Sequence, residues 1–334
     1  FIGDDNSNLP PFAILSHTWE DDEVSLQDLS DPTKKCINQR GFFKIKSTCN
    51  LAARHGFKYT WVDTCCIDKQ ASAELSEAIN SMFYWYEKAA VCYVYLSDLT
   101  AAEDDANLES ALRECRWFGR GWTLQELIAP ANVRFYDRNW TYIGDKSTLS
   151  ETISSITNIP VGLLRRERQL SDFSVACRMS WAAKRKTTRV EDMAYCLLGI
   201  FEVNMPLIYG EREKAFSRLQ QQVLQATGDL SILAWTNQHP ATREYSALLA
   251  ECPSQFAWCS GIQIKPHMSA SRGLRVTPLE IELRTGLMNR FDGSGQWFVL
   301  DLFSSVGDNS VGVALRRYRG SEYVRWRPDS LVLF

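Results

Sequence analysis

Trp122 and Glu126 lie four residues apart in the stretch from Arg116 to Pro130, where residue types and spacing best suit chemistry. Four residues make about one helical turn, so the indole and the carboxylate stack on one face. Leu124, Leu127 and Ile128 share the opposite face, which suits packing on a sheet. An indole beside a carboxylate, with Arg116 and Arg120 just upstream, can bind a flat cationic ring and an anionic tail together. A surface glutamate beside a half-buried tryptophan is the plainer reading of so short a pattern.

The elements that must position these residues alternate. Apolar runs at 12–16, 58–63, 91–96 and 132–136 read as strands, and periodic stretches at 42–55, 74–88 and 121–129 read as helices. In the first helix the apolar face is set by Phe42, Ile45, Cys49 and Ala52, with Gly56 as the stop. Leu75, Ala78, Ile79, Met82, Phe83 and Tyr86 mark the second. This order predicts an α/β fold with an open parallel sheet covered on both sides. Ligands in such folds sit beyond the carboxyl ends of the strands. Polar loops at Ser16–Asp22, at Thr64–Ala71 after Asp63, and at Arg116–Glu126 all belong to that edge. The acidic run Glu103, Asp104 and Asp105 precedes the third loop, and a salt bridge to it is the alternative role for Arg116 and Arg120.

Beyond about 145 the pattern turns helical. Thr148 with Glu151, and Thr188 with Glu191, fit capping boxes. A periodic helix from Glu211 to Ala226 ends before Gly228. From 230 strands dominate: 278–284 alternates strictly, and 296–303 and 311–318 come next across Gly-rich turns. This predicts a smaller, mostly antiparallel β region at 229–334.

A length of 334 residues suits two domains. The composition, 45% hydrophobic and 23% charged, is that of a globular protein, and the net charge of −3 argues against nonspecific nucleic-acid binding. Lys184, Arg185, Lys186 and Arg189 form the tight basic cluster, read as a solvated helix end. No apolar run reaches about 18 residues, so no membrane span is expected. The ten cysteines form no C-x-x-C and sit mostly in apolar runs, as free thiols of a reducing cytoplasm do. The four histidines lack ligand spacing, so neither metal nor resident cofactor is expected. The start without Met and the apolar end at Phe334 suggest a piece of a longer protein.

The phrases Ala13–Trp19 (AILSHTW), Tyr59–Asp68 (YTWVDTCCID) and Arg120–Leu127 (RGWTLQEL) resemble the fungal heterokaryon-incompatibility (HET) domain. The segments 189–199 and 206–212 resemble the downstream part of that family's pattern. The resemblance covers about residues 10–225 and implies a HET domain over 1–228, with an α/β core at about 10–140 and a helical extension at about 145–228. It implies a cytoplasmic module of non-self recognition that triggers cell death, self-associating on activation in response to an upstream partner. HET domains look like distant relatives of the Toll/interleukin-1 receptor (TIR) domain, whose sheet is flavodoxin-like. TIR domains that cleave NAD place a Glu four residues after a Trp, on the helix after the third strand. Trp122 and Glu126 have that spacing and place. The insertion at 101–115 and the wording of the first two loops depart from the TIR pattern.

The resemblance thus implies NAD, or a related nucleotide, as substrate and Glu126 as the catalytic carboxylate. Cleaving the nicotinamide–ribose bond develops positive charge on the sugar, and the leaving group is already a cation, so one carboxylate can suffice. Trp122 or Trp19 would stack on the nicotinamidium, and Arg116 or Arg120 would hold the pyrophosphate. Ser16, His17 and Asp63 would line the first two loops. Core packing for the tryptophans, and turn or capping roles for His17, Asp63 and Asp68, are the alternatives. A thiol nucleophile at Cys65 or Cys66 with His17 as base is a further one. A non-catalytic module acting by self-association through a Trp-rich surface is the competing reading of the whole.

Overall fold

The computed structural model describes residues 9–31, 40–100, 105–237, 244–265, 274–277 and 280–334. The chain forms two compact units, Phe1–Glu167 and Arg168–Phe334. The 1–228 range implied by the resemblance spans the first unit and the helical start of the second. Glu103 and Asp104 lie outside the described residues.

The first unit runs β1 (Phe12–His17), α1 (Leu26–Ser30), α2 (Arg40–Arg54), β2 (Tyr59–Trp61), α3 (Asp63–Cys66), α4 (Ser72–Lys88), β3 (Val91–Tyr95), α5 (Asp105–Glu114), α6 (Thr123–Ile128), β4 (Val133–Tyr136), β5 (Tyr142–Asp145), α7 (Ser150–Thr157) and α8 (Val161–Leu164). Its sheet has the order β2-β1-β3-β4-β5. The first four strands are parallel, and β5 adds antiparallel to β4. The α/β architecture and its parallel core are therefore as expected, with a fifth, reversed strand that the sequence pattern did not reveal.

Strand alternation decides what each face buries. Ala13, Leu15, Val91, Tyr93 and Tyr136 join Leu51 and Ala52 of α2 in one core. On the other face Ser16 meets α6, and Trp61 of β2 packs on Trp85 and Tyr86 of α4. Every residue of β1 is buried, as a central strand covered on both sides requires.

Helix α2 departs from the predicted face. Its buried positions are Gly41, Lys44, Thr48, Leu51 and Ala52, so the stripe is rotated from Phe42, Ile45, Cys49 and Ala52. Lys44 turns inward because its ammonium finds hydrogen-bond partners, which offset the cost of burying a charge. Gly41 is required by close approach: a Cβ there would lie 2.5 Å from the Asp22 carbonyl oxygen and 2.9 Å from the Glu23 Cα. The stretch expected as a polar loop after Asp63 begins with the one-turn helix α3, and α5 occupies most of the insertion before Arg116. Helix α7 starts without the expected capping box; Thr148 Oγ1 instead accepts from the Asp145 amide at 3.1 Å.

The second unit comprises α9 (Val175–Ser180), α10 (Asp192–Tyr195), α11 (Lys214–Thr227), and strands β6 (Tyr245–Ser246), β7 (Gln263–Ile264), β8 (Leu274–Val276), β9 (Ile281–Leu283), β10 (Met288–Asp292), β11 (Gly295–Val306), β12 (Asn309–Arg319), β13 (Glu322–Trp326) and β14 (Val332–Leu333). Its main sheet has the path β10-β11-β12-β13-β6, all pairs antiparallel, with β7 on β11 and β14 on β12. The strictly alternating run at 278–284 yields only the short β9, and Pro278 and Leu279 lie outside the described residues. Glu191, expected to cap its helix, accepts instead from the Gly210 and Arg212 amides at 2.7 and 3.1 Å. It thereby ties the two segments at 189–199 and 206–212. The basic cluster is not wholly solvated: Arg185 is buried and donates Nε to the Trp181 carbonyl at 3.2 Å.

Among the described residues no helix is long and apolar enough to cross a membrane.

Candidate functional site

Three loops meet at the carboxyl edge of the parallel strands. Ser16 and His17 end β1, Asp63 opens α3 just past β2, and Glu126 stands on α6, entered from a 3-10 turn at Arg116–Gly119.

Ser16 is fully buried and lies on the α6 face because its strand neighbours Leu15 and His17 take the other side. Its Oγ donates to Glu126 Oε2 at 2.5 Å and accepts from Trp117 Nε1 at 2.8 Å. Trp117 is itself buried edge-on against Phe118 and Phe135, with ring centroids 5.0 and 5.7 Å apart. Through this serine hydroxyl the Trp117 indole is coupled to Glu126. Trp122 is half-buried at the start of α6.

Helix α6 is buried on nearly every side: Thr123, Leu124, Gln125, Glu126 and Leu127 all lie inside. Glu126 is 5% exposed. Burial, reinforced by the negative charge of Asp63, pushes its carboxyl up to about 8, against the opposing help of Ser16, Arg120 and Tyr86. At pH 7 about a tenth of such a group is ionised.

Lys146 of the turn after β5 fixes this helix from its other end. Its buried ammonium donates to the carbonyls of Leu127 at 3.1 Å and Pro130 at 2.5 Å, supplying partners that a helix terminus lacks. Thr123 Oγ1 bonds the Trp117 and Arg120 carbonyls at 2.6 and 3.0 Å, fastening the 3-10 turn to the helix.

A second polar group adjoins the first. His17 Nε2 lies 3.0 Å from Asp63 Oδ1, and Lys44 Nζ lies 3.2 Å from His17 Nδ1. An ammonium can only donate, so Nδ1 accepts and Nε2 carries the proton shared with Asp63. Lys44 also pairs closely with Glu23. Trp19 Nε1 donates to Asp63 Oδ2 at 2.8 Å, and Lys69 Nζ sits 3.6 Å from the Trp19 ring centroid. Burial alone would raise Asp63; the hydrogen bond from His17, the positive charge of Lys69 and the hydrogen bond from Trp19 outweigh it and hold the carboxyl below its ordinary value.

The structure thus brings Ser16, His17, Trp19, Asp63 and Glu126 together, with the charge of Arg120 felt at Glu126. Arg116 is exposed and engaged with Asp98 at 3.3 Å and Glu20 at 3.4 Å. Both ring nitrogens of His17 are committed to Asp63 and Lys44, which leaves no basic nitrogen for a thiol. Cys66 Sγ accepts from the Val62 amide at 3.4 Å instead. Trp117, Lys44 and Lys146 are the site-forming residues that sequence reasoning missed.

Residues 12–112 match the family model described as heterokaryon incompatibility protein (HET). The chain is 47% identical over 261 residues to the vegetative incompatibility protein HET-E-1 of Podospora anserina, an alignment covering 76% of this chain. The matched part spans 19% of that relative's length. No solved structure matches the chain. With Ser16, His17 and Asp63 inside the matched range, the chain carries a heterokaryon-incompatibility (HET) domain.

Proposed function

We propose that this chain acts in fungal non-self recognition, in keeping with a Podospora anserina relative that is named a vegetative incompatibility protein. It does so by hydrolysing the nicotinamide–ribose bond of NAD, with Glu126 as the catalytic carboxylate. One observation carries this reading: a carboxyl 5% exposed and bonded to Ser16 where three strand-end loops converge, in surroundings that raise its pKa. The parallel order β2-β1-β3-β4 supports a flavodoxin-like, TIR-like sheet, although β5 is antiparallel and lies outside that pattern.

In this reaction the ionised Glu126 holds the ribose hydroxyls, stabilises the positive charge developing at C1′, and then takes a proton from the attacking water. The bond to C1′ breaks with its electron pair moving to the pyridinium nitrogen, releasing neutral nicotinamide, and a water oxygen replaces it. The cationic ring of NAD favours ionisation of the buried acid it approaches. Ser16 holds the carboxyl in place, and Arg120 supplies positive charge for the diphosphate. Substrate entry requires the loops around Glu126 to part, which self-association of the module would drive.

The enclosure of Glu126 favours a second reading, in which it is a structural acid locking α6 to β1 and the module acts by self-association alone. Nicotinamide release from NAD, measured at rising protein concentration, separates the two. Release that is lost in Glu126→Ala supports hydrolysis. Self-association without release at any concentration supports the second reading.

A further inference from the structure

Helix α2 packs on β1 and β2, and beyond it the same face of the sheet opens into a cleft of about 500 Å³. Tyr136 shares this face with the core under α2, whereas Ser16 and Glu126 meet on the other. Six side chains give the cleft its chemistry: Arg54, His55, Arg134, Tyr136, Trp140 and Tyr142.

Neither Arg54 nor Arg134 forms an ion pair with a carboxylate among the described residues; Arg134, opposite Asp145 in the strand pair, lies 3.4 Å from His55 Nε2 and hydrogen-bonds the Tyr136 side chain. Asp145 also lines the cleft, but its carboxylate is spent locally. It accepts from the Ser147 amide and hydroxyl at 3.0 and 2.6 Å, from the Thr148 amide at 2.9 Å and from Tyr142 at 3.4 Å. Two positive forks facing one satisfied carboxylate leave the cleft net positive, with the fork geometry that suits phosphate.

The aromatic wall is held at some cost. Trp140 has φ of +61°, a left-handed conformation that a bulky side chain rarely adopts. Asp137 keeps the turn, accepting from the Asn139 and Thr141 amides at 2.9 and 2.7 Å. The strained residue lays its indole flat on Tyr95, ring centroids 4.7 Å apart and 17° from parallel. Tyr142 on the opposite strand is 51% exposed. Strain that fixes an aromatic ring at a cleft is the kind that functional sites retain.

We infer that this cleft is a nucleotide site, taking a nucleoside monophosphate whose base stacks on Trp140 or Tyr142 and whose phosphate bridges Arg54 and Arg134. It lies on the opposite face of the sheet from Glu126 and is independent of any chemistry there.

The test is calorimetric titration of the full chain with AMP, adenosine and ribose 5-phosphate. AMP binds with a Kd below about 1 mM, and each half-ligand binds at least roughly tenfold more weakly, because stacking and charge contribute separately. Arg134→Ala and Arg54→Ala each weaken AMP about ten- to a hundredfold. Trp140→Gly, which removes the indole and suits the left-handed backbone, weakens it roughly tenfold. Should Arg134→Ala lose its thermal transition, Arg54→Ala at the exposed end of α2 carries the same test. Absence of saturable AMP binding overturns the inference. So does AMP binding that survives Arg54→Ala and Trp140→Gly unchanged.

Discussion

Ser16 Oγ donates to Glu126 Oε2 across 2.5 Å while accepting from Trp117 Nε1, so one hydroxyl joins β1, the 3-10 turn and α6. All three residues are buried, and removing the hydroxyl leaves an indole N–H and a carboxyl without their partner. Ser16→Ala should destabilise the fold by about 1–3 kcal/mol, read as a lower urea midpoint at unchanged slope. An unchanged midpoint would mean that water or relaxation replaces the serine.

The raised Glu126 also makes a pH prediction. Its unfolded value is 4.5 and its folded value about 8, so between these the folded state holds a proton that the unfolded state has released. Stability from this group therefore falls as pH rises from about 4.5 to 8, and levels off above. Glu126→Gln removes that dependence. The variant should gain stability relative to the parent between pH 5 and pH 8, on the order of a few kcal/mol. Parallel stability curves for the two proteins would show that Glu126 ionises normally inside the fold.

Lys146 is the carbonyl partner of α6. Lys146→Met keeps the stem but strips donors from the Leu127 and Pro130 carbonyls, and should cost about 2–4 kcal/mol. Amide exchange in α6 should quicken more than in α2. Equal protection in the two helices would contradict a specific role for this lysine.

Gly41 sits where the Asp22 carbonyl oxygen leaves no room for a side chain. Gly41→Ala, an ordinarily favourable change in a helix, should instead destabilise by about 1–3 kcal/mol through forced displacement of backbone. Thermal melting above the parent would show that the segment at 22–24 yields freely.

Much of this was legible in the chain because strand alternation and helical period are written in single residues. The four parallel strands and the helices between them can be read from runs such as 12–16 and 91–96. What the pattern could not show depends on register. That Trp117 is coupled to Glu126 is decided by Ser16 facing α6, a contact between residues 110 apart in sequence that no local spacing reveals. Lys44 escaped notice because apolar periodicity assigns lysine to water, and its burial depends on His17 and Glu23. The four-residue β5 carries too short a run to stand out, and the turn before it is fixed by Asp137, whose hydrogen bonds sequence alone does not reveal.

The most direct test is release of nicotinamide from NAD by concentrated full chain, measured from pH 6 to pH 9 for the parent, Glu126→Gln and Cys66→Ser. The account predicts release that rises with pH as Glu126 ionises, falls by about 10²–10⁴ in Glu126→Gln, and persists in Cys66→Ser. Absence of release in an associated protein, or release untouched by Glu126→Gln, would contradict it.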